Sequence, residues 1–220
     1  KGSYIKRPKV GLVKINTHRE LPENSVIKSA TVKQSKSGKY FCTILIEKEV
    51  VTPMSVLASP NRVLGLDYSS GSFCVDSDGN TADYPKYYRQ KEKQLRRAQQ
   101  KLSRCMRSSN NKHKARVKVA RIHEKVANQR KDFLHKLSRE IANSYDAVVV
   151  EDINLRGLAG ALKLGKATND NGFGMFRTFL KYKLEDQGKQ LITIDKFYPS
   201  SKLCHECGYI HKELTLNDKT

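Results

Sequence analysis

The sequence predicts a mixed α/β fold, on three observations. Short β-branched or alternating segments, which are typical of strands, recur between residues 10 and 76 and again between residues 147 and 195. A long helical pattern, strongly enriched in Lys and Arg, separates these two sets of strands. The chain has 220 residues, which is enough to bury a hydrophobic core in one large domain or two small ones.

The first 52 residues have the pattern of a β-rich domain. Strands are expected at residues 10–15, 29–34 and 40–46, with turns near residues 22–24 and 36–38. No earlier segment is expected to pair with the first of these strands. The pattern therefore indicates the C-terminal part of a β-barrel-like domain at residues 1–52, followed by a linker at residues 53–60.

A second domain is predicted to begin near residue 61. Residues 63–68 have the apolar character of a buried strand, and a second strand is expected at residues 73–76. The sequence Ser-Asp-Gly-Asn at residues 77–80 is a strong hairpin signal. These elements predict a β-meander at the start of the second domain.

Residues 87–145 predict two helices that pack as an αα-hairpin. Apolar residues recur at helical spacing on both sides of a polar break at residues 108–111. The first stripe contains Leu95, Ala98, Leu102 and Cys105, and the second contains Val119, Ile122, Val126, Phe133, Leu137 and Ile141.

Positive charge is concentrated on these predicted helices. The chain has 42 Lys and Arg against 22 Asp and Glu, and residues 86–139 hold +16 of the net charge of +20. A solvated helical face usually mixes signs to gain i,i+4 pairs, so contact with nucleic acid is favoured over a bare basic surface. No membrane span is expected, because no apolar run approaches the roughly 20 residues that a span needs. Membrane binding is disfavoured, because the basic helices lack a separate Trp/Phe-rich face to insert. The candidate nucleic-acid contacts are Arg96, Arg97, Lys101, Arg104, Lys118, Arg121, Arg130 and Lys131.

The order of the predicted elements identifies two acids as candidate metal ligands. Residues 147–152 form a central-strand run that ends in acids, and a Gly-rich loop, a helix at residues 172–187 and a strand at residues 191–195 follow. This order of elements, a meander followed by helices, a strand, a helix and a strand, is that of RNase H-like folds. In these folds the first and fourth strands are neighbours, which would bring Asp67 beside Glu151. Such a pair can hold two magnesium ions about 4 Å apart for phosphodiester hydrolysis. For either acid taken alone, the alternative interpretation is a residue at a strand end that only contacts solvent.

The five cysteines are unevenly spaced, which indicates reduced thiols in an intracellular protein rather than a disulfide framework. Cys204 and Cys207, followed by Gly208, have the spacing of a zinc knuckle. One knuckle supplies two of four zinc ligands, and His205 and His211 are further candidates. A redox CxxC is the alternative, although the turn-rich residues after Cys207 do not suggest the helix that such a thiol usually needs.

Six segments, taken together, resemble a known family. They are Gly-Leu-Asp-Tyr at residues 65–68 and the motifs at residues 83–89, 128–136, 149–154, 171–176 and 198–204. Their order and spacing resemble the nuclease domain of the TnpB/OrfB family of transposon proteins, over roughly residues 60–215.

This resemblance implies a RuvC-type, RNase H-like nuclease domain at residues 61–203, with the basic helices at residues 86–145 inserted into it. It also implies the end of a wedge domain at residues 1–52 and the first half of a zinc ribbon at residues 204–220. Asp67 and Glu151 match the family's first two catalytic carboxylates. The third carboxylate and a second CxxC are expected beyond Thr220, so the zinc site is incomplete in this chain.

The family resemblance further implies RNA-guided DNA cleavage that depends on two magnesium ions, by a relative of the ancestors of type V CRISPR effectors. The implied partners are a guide RNA and target DNA, and the implied location is the bacterial cytoplasm at the nucleoid. The first interpretation is therefore an endonuclease core, which the two acids favour. The second is a nuclease-inactive nucleic-acid-binding protein, which the missing third carboxylate favours. A basic RNA-binding module is the third interpretation, and it leaves the acid pair unexplained.

Overall fold

The computed structural model of the chain describes residues 3–49, 60–69, 71–155, 157, 165, 170–195, 198–199, 202–204, 206–211 and 213. Contacts divide the chain into two units, Lys1–Val51 and Thr52–Thr220. The predicted linker at residues 53–60 lies outside the described residues, except for Pro60. No helix in the described part of the chain is long and apolar enough to cross a bilayer.

The first unit contains two antiparallel hairpins. Strands β1 (Ser3–Arg7) and β2 (Gly11–Ile15) form one, and strands β3 (Val26–Gln34) and β4 (Tyr40–Glu47) form the other. The expectation that nothing precedes β2 as a pairing partner is therefore wrong. The chain reverses through positive φ values at Lys9 and Gly11, and the polar residues of β1 conceal its strand character in the sequence.

The apolar side chains of the first unit are largely exposed. Leu12 is 71% exposed and Leu45 is 60% exposed, although both lie in strands. Among the described residues of this unit, only Ser37 is buried. The two hairpins thus do not enclose a hydrophobic core of their own within the described residues.

The second unit is built on a five-stranded mixed sheet with the order β7-β6-β5-β8-β9. Its strands are β5 (Val63–Tyr68), β6 (Cys74–Asp76), β7 (Thr81–Ala82), β8 (Ala147–Glu151) and β9 (Gln190–Ile194). Strands β5, β6 and β7 pair antiparallel, whereas β8 pairs parallel with β5 and with β9. The predicted meander and the neighbouring first and fourth strands are both confirmed.

Three helices accompany this sheet, namely α1 (Tyr87–Ser103), α2 (Asn110–Ser144) and α3 (Phe173–Glu185). Helices α1 and α2 pack against each other through Leu95, Ala98 and Ile122, which confirms the predicted helical hairpin. The Ser109 side chain accepts a hydrogen bond from the backbone N of Lys112 at 3.1 Å, so it caps the start of α2.

The main core lies between the sheet and helices α2 and α3. Alternate residues of β5 and β8, such as Leu66 and Val150, are buried in one apolar cluster with Leu134 of α2 and Phe176 of α3. Because successive side chains of a strand point to opposite faces, burial of these residues directs the adjacent positions of both strands away from the helices.

A lysine is buried between α2 and α3. Lys183 is 3% exposed, and its Nζ donates to the backbone O of His135 and to the Oγ of Ser138, both at 2.7 Å. Burial, and to a lesser extent the charge of Arg139, lowers the pKa of Lys183. Ser138 itself donates to the backbone O of Leu134 at 2.6 Å, so its hydroxyl keeps an acceptor without the lysine.

We expect Lys183→Met to leave the free energy of unfolding at neutral pH within about 1 kcal/mol of wild type, or to raise it, because an apolar side chain of similar length removes a buried charge. The folded-state pKa is lowered, so the unfolded chain binds more protons between that pKa and about 10.4, and wild-type stability rises with pH in this window. The variant should lose that rise. Urea unfolding from neutral to alkaline pH measures both effects.

The matched control is Lys181→Met, whose side chain is 64% exposed. It should keep the wild-type dependence of stability on pH. If the free energy of unfolding rose equally with pH in Lys183→Met and in wild type, the rise could not be assigned to Lys183.

Candidate active site and basic surface

Two acids lie at the adjoining ends of neighbouring parallel strands. Strands β5 and β8 are in register from Val63 opposite Ala147 to Leu66 opposite Val150. The next residues along the two strands are Asp67 and Glu151. Asp67 is exposed and Glu151 is half-buried. The prediction that the two strands are neighbours is confirmed, and the roles of the two acids as metal ligands and catalytic residues stay predictions.

The alternation of the strands keeps both acids out of the apolar core. Leu66 and Val150, which precede them, are 6% and 1% exposed. The acids therefore fall on the opposite face of the sheet from helices α2 and α3. Cys74 lies across from this strand end on β6, and burial, aided by the charges of Asp76 and Asp67, raises the pKa of its thiol to about 11.

The chemistry of the two side chains fits magnesium. Carboxylate oxygens are hard ligands of the kind Mg²⁺ prefers, and one carboxylate from each of two strands can contribute to a two-metal site. Within the described residues, no group of three or more His, Cys, Asp or Glu side chains is close enough to hold a metal ion. Asp67 and Glu151 alone therefore do not make a complete metal site, and their role as magnesium ligands stays a prediction.

A basic residue that the sequence analysis did not single out adjoins the acids. Arg177 of α3 places its Nη1 atom 3.4 Å from an Oδ1 atom of Asp152, the residue after Glu151. The backbone N of Asp152 donates to the backbone O of Ile194 at the end of β9. No sequence motif marks this ion pair, because its two residues lie 25 positions apart and meet only in the folded structure.

The predicted nucleic-acid contacts are distributed over the helical hairpin. Seven of the eight side chains are exposed, whereas Arg130 is 20% exposed and engaged inside the protein. Its guanidinium pairs with Asp170 at 3.3 Å and donates to the hydroxyl of Tyr84 at 3.5 Å. The exposed cations are Arg96, Arg97, Lys101 and Arg104 in and just after α1, and Lys118, Arg121 and Lys131 in α2.

Cys204 and Cys207 lie in a tight turn whose two arms are joined by a bridge between Leu203 and Ile210. The backbone N of Cys204 donates to the O of Tyr209, and the N of Gly208 donates to the O of Cys204, each at 2.9 Å. Backbone N–H groups of Cys207 and Glu206 lower the pKa of the Cys204 thiol.

Both cysteines of this turn are exposed and free, and such a geometry favours a thiolate that can bind metal. The backbone N of His211 donates to the O of Lys202, which places His211 at the base of the turn, and His205 lies outside the described residues. The turn fits half of a tetrahedral zinc site.

Two family models match the chain. The model OrfB_IS605, described as "Probable transposase", matches residues 43–162. The model "Cas12f1-like, TNB domain" matches residues 173–219.

Curated relatives cover nearly the whole chain. The chain is 36% identical over 203 residues to "Putative RNA-guided DNA endonuclease" of Streptomyces pristinaespiralis, covering 92% of this chain and 50% of the relative. It is 31% identical over 230 residues to "Putative RNA-guided DNA endonuclease InsQ" of Escherichia coli (strain K12), covering 98% of this chain and 56% of the relative. The chain thus spans about half the length of the curated relatives it matches.

The fold is similar to that of a protein in a solved structure, "Cryo-EM structure of the Cas12f1-sgRNA-target DNA complex". The TM-score is 0.52 at 16% sequence identity, covering 84% of this chain and 39% of the other. At this level of identity the similarity concerns the fold alone.

Removing four cations from the hairpin should flatten the salt dependence of nucleic-acid binding. We expect a variant with Ala at Arg96, Arg97, Lys101 and Arg104 to have a less steep slope of log K against log salt on duplex DNA. The slope should become less negative by about 0.9 for each phosphate that is no longer neutralised. Fluorescence anisotropy at several salt concentrations measures the slope. Changing the three arginines to Lys keeps the charge and should keep the slope. An unaltered slope in the Ala variant would exclude this face of α1 from the interface.

Zinc should protect the two knuckle cysteines selectively. We expect added Zn²⁺ to slow alkylation of Cys204 and Cys207, because metal ligation removes the nucleophilic thiolate, and to leave Cys105 of the hairpin unaffected. Two ligands cannot close a tetrahedral shell, so this protection should be reversed readily by a chelator. Mass spectrometry of alkylated peptides measures both outcomes. Cys207→Ser is the matched control and should abolish protection of Cys204, while chelator-resistant zinc in wild type would mean that further ligands are present.

Proposed function

The chain belongs to the OrfB_IS605 family, and we propose that it forms the catalytic part of an RNA-guided, magnesium-dependent DNA endonuclease. The observation that carries this proposal is the placement of Asp67 and Glu151 at adjoining ends of parallel strands β5 and β8. The order and directions of the five strands support a RuvC-type, RNase H-like fold for the second unit. The names of the two curated relatives, both RNA-guided DNA endonucleases, support the reaction class.

The proposed chemistry is hydrolysis of a DNA phosphodiester. Two magnesium ions at such a site supply an activated water and stabilise the leaving oxygen. Asp67 and Glu151 would hold these ions, because both carboxylates stand on the solvent side of the sheet, clear of the apolar cluster. The described residues supply two acids, so a complete site requires at least one further ligand from elsewhere in the protein.

The proposed partners are a guide RNA and target DNA. The exposed cations of α1 and α2 are suited to phosphate backbones, and the hairpin lies in the chain between the two strands that carry the acids. Contact at the hairpin would therefore hold a nucleic-acid strand near the sheet. The knuckle at Cys204 and Cys207 would bind zinc as half of a ribbon within the segment that matches the TNB-domain model.

A nuclease-inactive binding protein is the second candidate function. It is favoured by one observation, which is that the described residues contain no third acid at the site. The two candidates share the basic hairpin and differ only in hydrolysis.

Loss of either acid should separate cleavage from binding. In the full-length protein, we expect Asp67→Ala and Glu151→Ala each to abolish magnesium-dependent cleavage of target DNA, a loss of at least about 100-fold, because hydrolysis requires the metals. Binding of guide RNA and DNA should change little, because it depends mainly on the cations of the hairpin. Cleavage assays on labelled DNA and binding by anisotropy measure the two properties.

Asp78→Ala, in the exposed turn between β6 and β7, is the control and should cut at the wild-type rate. A Glu151→Ala protein that still cuts normally would refute the site. Wild-type protein that binds but never cuts would favour the second candidate, and loss of binding together with cutting would mean that the acids are structural.

A further inference from the structure

We propose that residues 170–172, here called the junction segment, position Asp67 for metal binding through a hydrogen bond from Asn171 to Tyr68. This inference rests on the proposed function, because it concerns the geometry of the proposed metal site. The proposal does not require Asn171 or Tyr68 to contact a metal or a substrate. Both act through the backbone of the strand that carries Asp67, and they are positioning residues.

The two neighbours of strand β5 pair with it over different lengths near the acid. Its pairing with β8 ends at Leu66 opposite Val150, whereas its pairing with β6 continues to Tyr68 opposite Cys74. Asp67 is thus paired with Val75 of β6 and lies one residue beyond the last residue of β5 that is paired with β8. Anything that fixes Tyr68, the next residue, also restricts the direction of the Asp67 side chain.

Tyr68 is fixed by both its ring and its hydroxyl. The ring is half-buried against the core and lies 4.9 Å from the ring of Phe173, measured between centroids. The hydroxyl accepts a hydrogen bond of 3.0 Å from Nδ2 of Asn171. Because neighbouring side chains of a strand point to opposite faces, this attachment on the helical face leaves Asp67 directed to the other face.

Asn171 can act as a fixed support because it is itself buried and hydrogen-bonded. It is 5% exposed, and its Oδ1 accepts from the backbone N of Phe173 at 3.3 Å. Both ends of the amide are thus used, which determines how it is oriented. A buried amide with satisfied partners has few alternative rotamers.

Asp170 anchors the junction segment to the basic hairpin. It is 5% exposed, and its Oδ1 accepts from the Tyr84 hydroxyl at 3.2 Å, the backbone N of Tyr88 at 3.1 Å and the Nη2 of Arg130 at 3.3 Å. These donors belong to the segment before α1, the first turn of α1 and the middle of α2. Burial raises the pKa of Tyr84 to about 12, so its hydroxyl stays a donor at neutral pH.

Gly172 completes the segment by allowing close approach to α2. Its φ is +70°, and a Cβ atom there would lie 3.0 Å from the Cδ of Arg130. A larger residue would be strained and would displace the arginine that pairs with Asp170. The junction segment therefore connects the hairpin, through Asp170, with the acid-bearing strand, through Asn171.

The test uses Tyr68→Phe and Asn171→Ala in the full-length protein with its guide RNA. Tyr68→Phe keeps the ring contact with Phe173 and removes only the hydrogen-bond acceptor. We expect each variant to weaken Mn²⁺ binding, measured by electron paramagnetic resonance, and to raise the magnesium concentration for half-maximal cleavage. The expected change is about 10-fold, the lower end of what outer-shell partners of metal ligands contribute. The double variant should show no more than the single variants, because both remove the same bond.

Tyr145→Phe, another half-buried tyrosine at the opposite end of β8, is the control and should bind Mn²⁺ as wild type does. Wild-type Mn²⁺ affinity in both Tyr68→Phe and Asn171→Ala would overturn the inference, provided that Asp67→Ala abolishes Mn²⁺ binding. Retention of Mn²⁺ binding and cleavage by Asp67→Ala would instead overturn the proposed function. A lowered melting temperature with unchanged metal affinity in Tyr68→Phe would also overturn the inference, since it would assign the bond to stability alone.

Discussion

The parallel pairing of β5 with β8 is the constraint on which the rest of the second unit depends. Parallel strands cannot be joined by a tight turn and require a long crossover connection. Here the crossover contains the rest of the meander and the whole basic hairpin, α1 and α2. The pairing therefore brings the strand positions of two distant acids together and ties both ends of the basic hairpin to the same sheet. Loss of this pairing would therefore both separate the two acids and free one end of the hairpin from the sheet.

The proposed roles in binding and in hydrolysis fall on different side chains with different surroundings. The cations of the hairpin are exposed, as long-range attraction of a polyanion requires. The acids stand at strand ends, where the buried residues before them limit their movement. Arg130 belongs to neither group, because its guanidinium is committed to Asp170 and Tyr84. Its charge helps to attach the hairpin to the junction segment. The position of the hairpin therefore depends on a buried ion pair as well as on apolar packing.

The two candidate metal sites are alike in being organised but short of ligands within the described residues. Backbone N–H groups already favour the thiolate of Cys204, and the register of two strands already brings Asp67 and Glu151 together. In each case the local fold brings the candidate ligand positions together, which would lower the cost of ordering them if a metal bound. Under the proposed function, each site would need further ligands besides these described side chains.

The sequence by itself determined the elements whose signals are local. Hydrophobic periodicity, turn residues and the CxxC spacing were sufficient for the meander, the helical hairpin, the strand ends at Asp67 and Glu151, and the knuckle turn. Only the tertiary structure revealed β1, the burial of Lys183, the withdrawal of Arg130 from the basic surface and the contact of Asn171 with Tyr68. These features depend on residues far apart in the chain, and a polar side chain looks the same in a sequence whether solvent or a buried partner satisfies it.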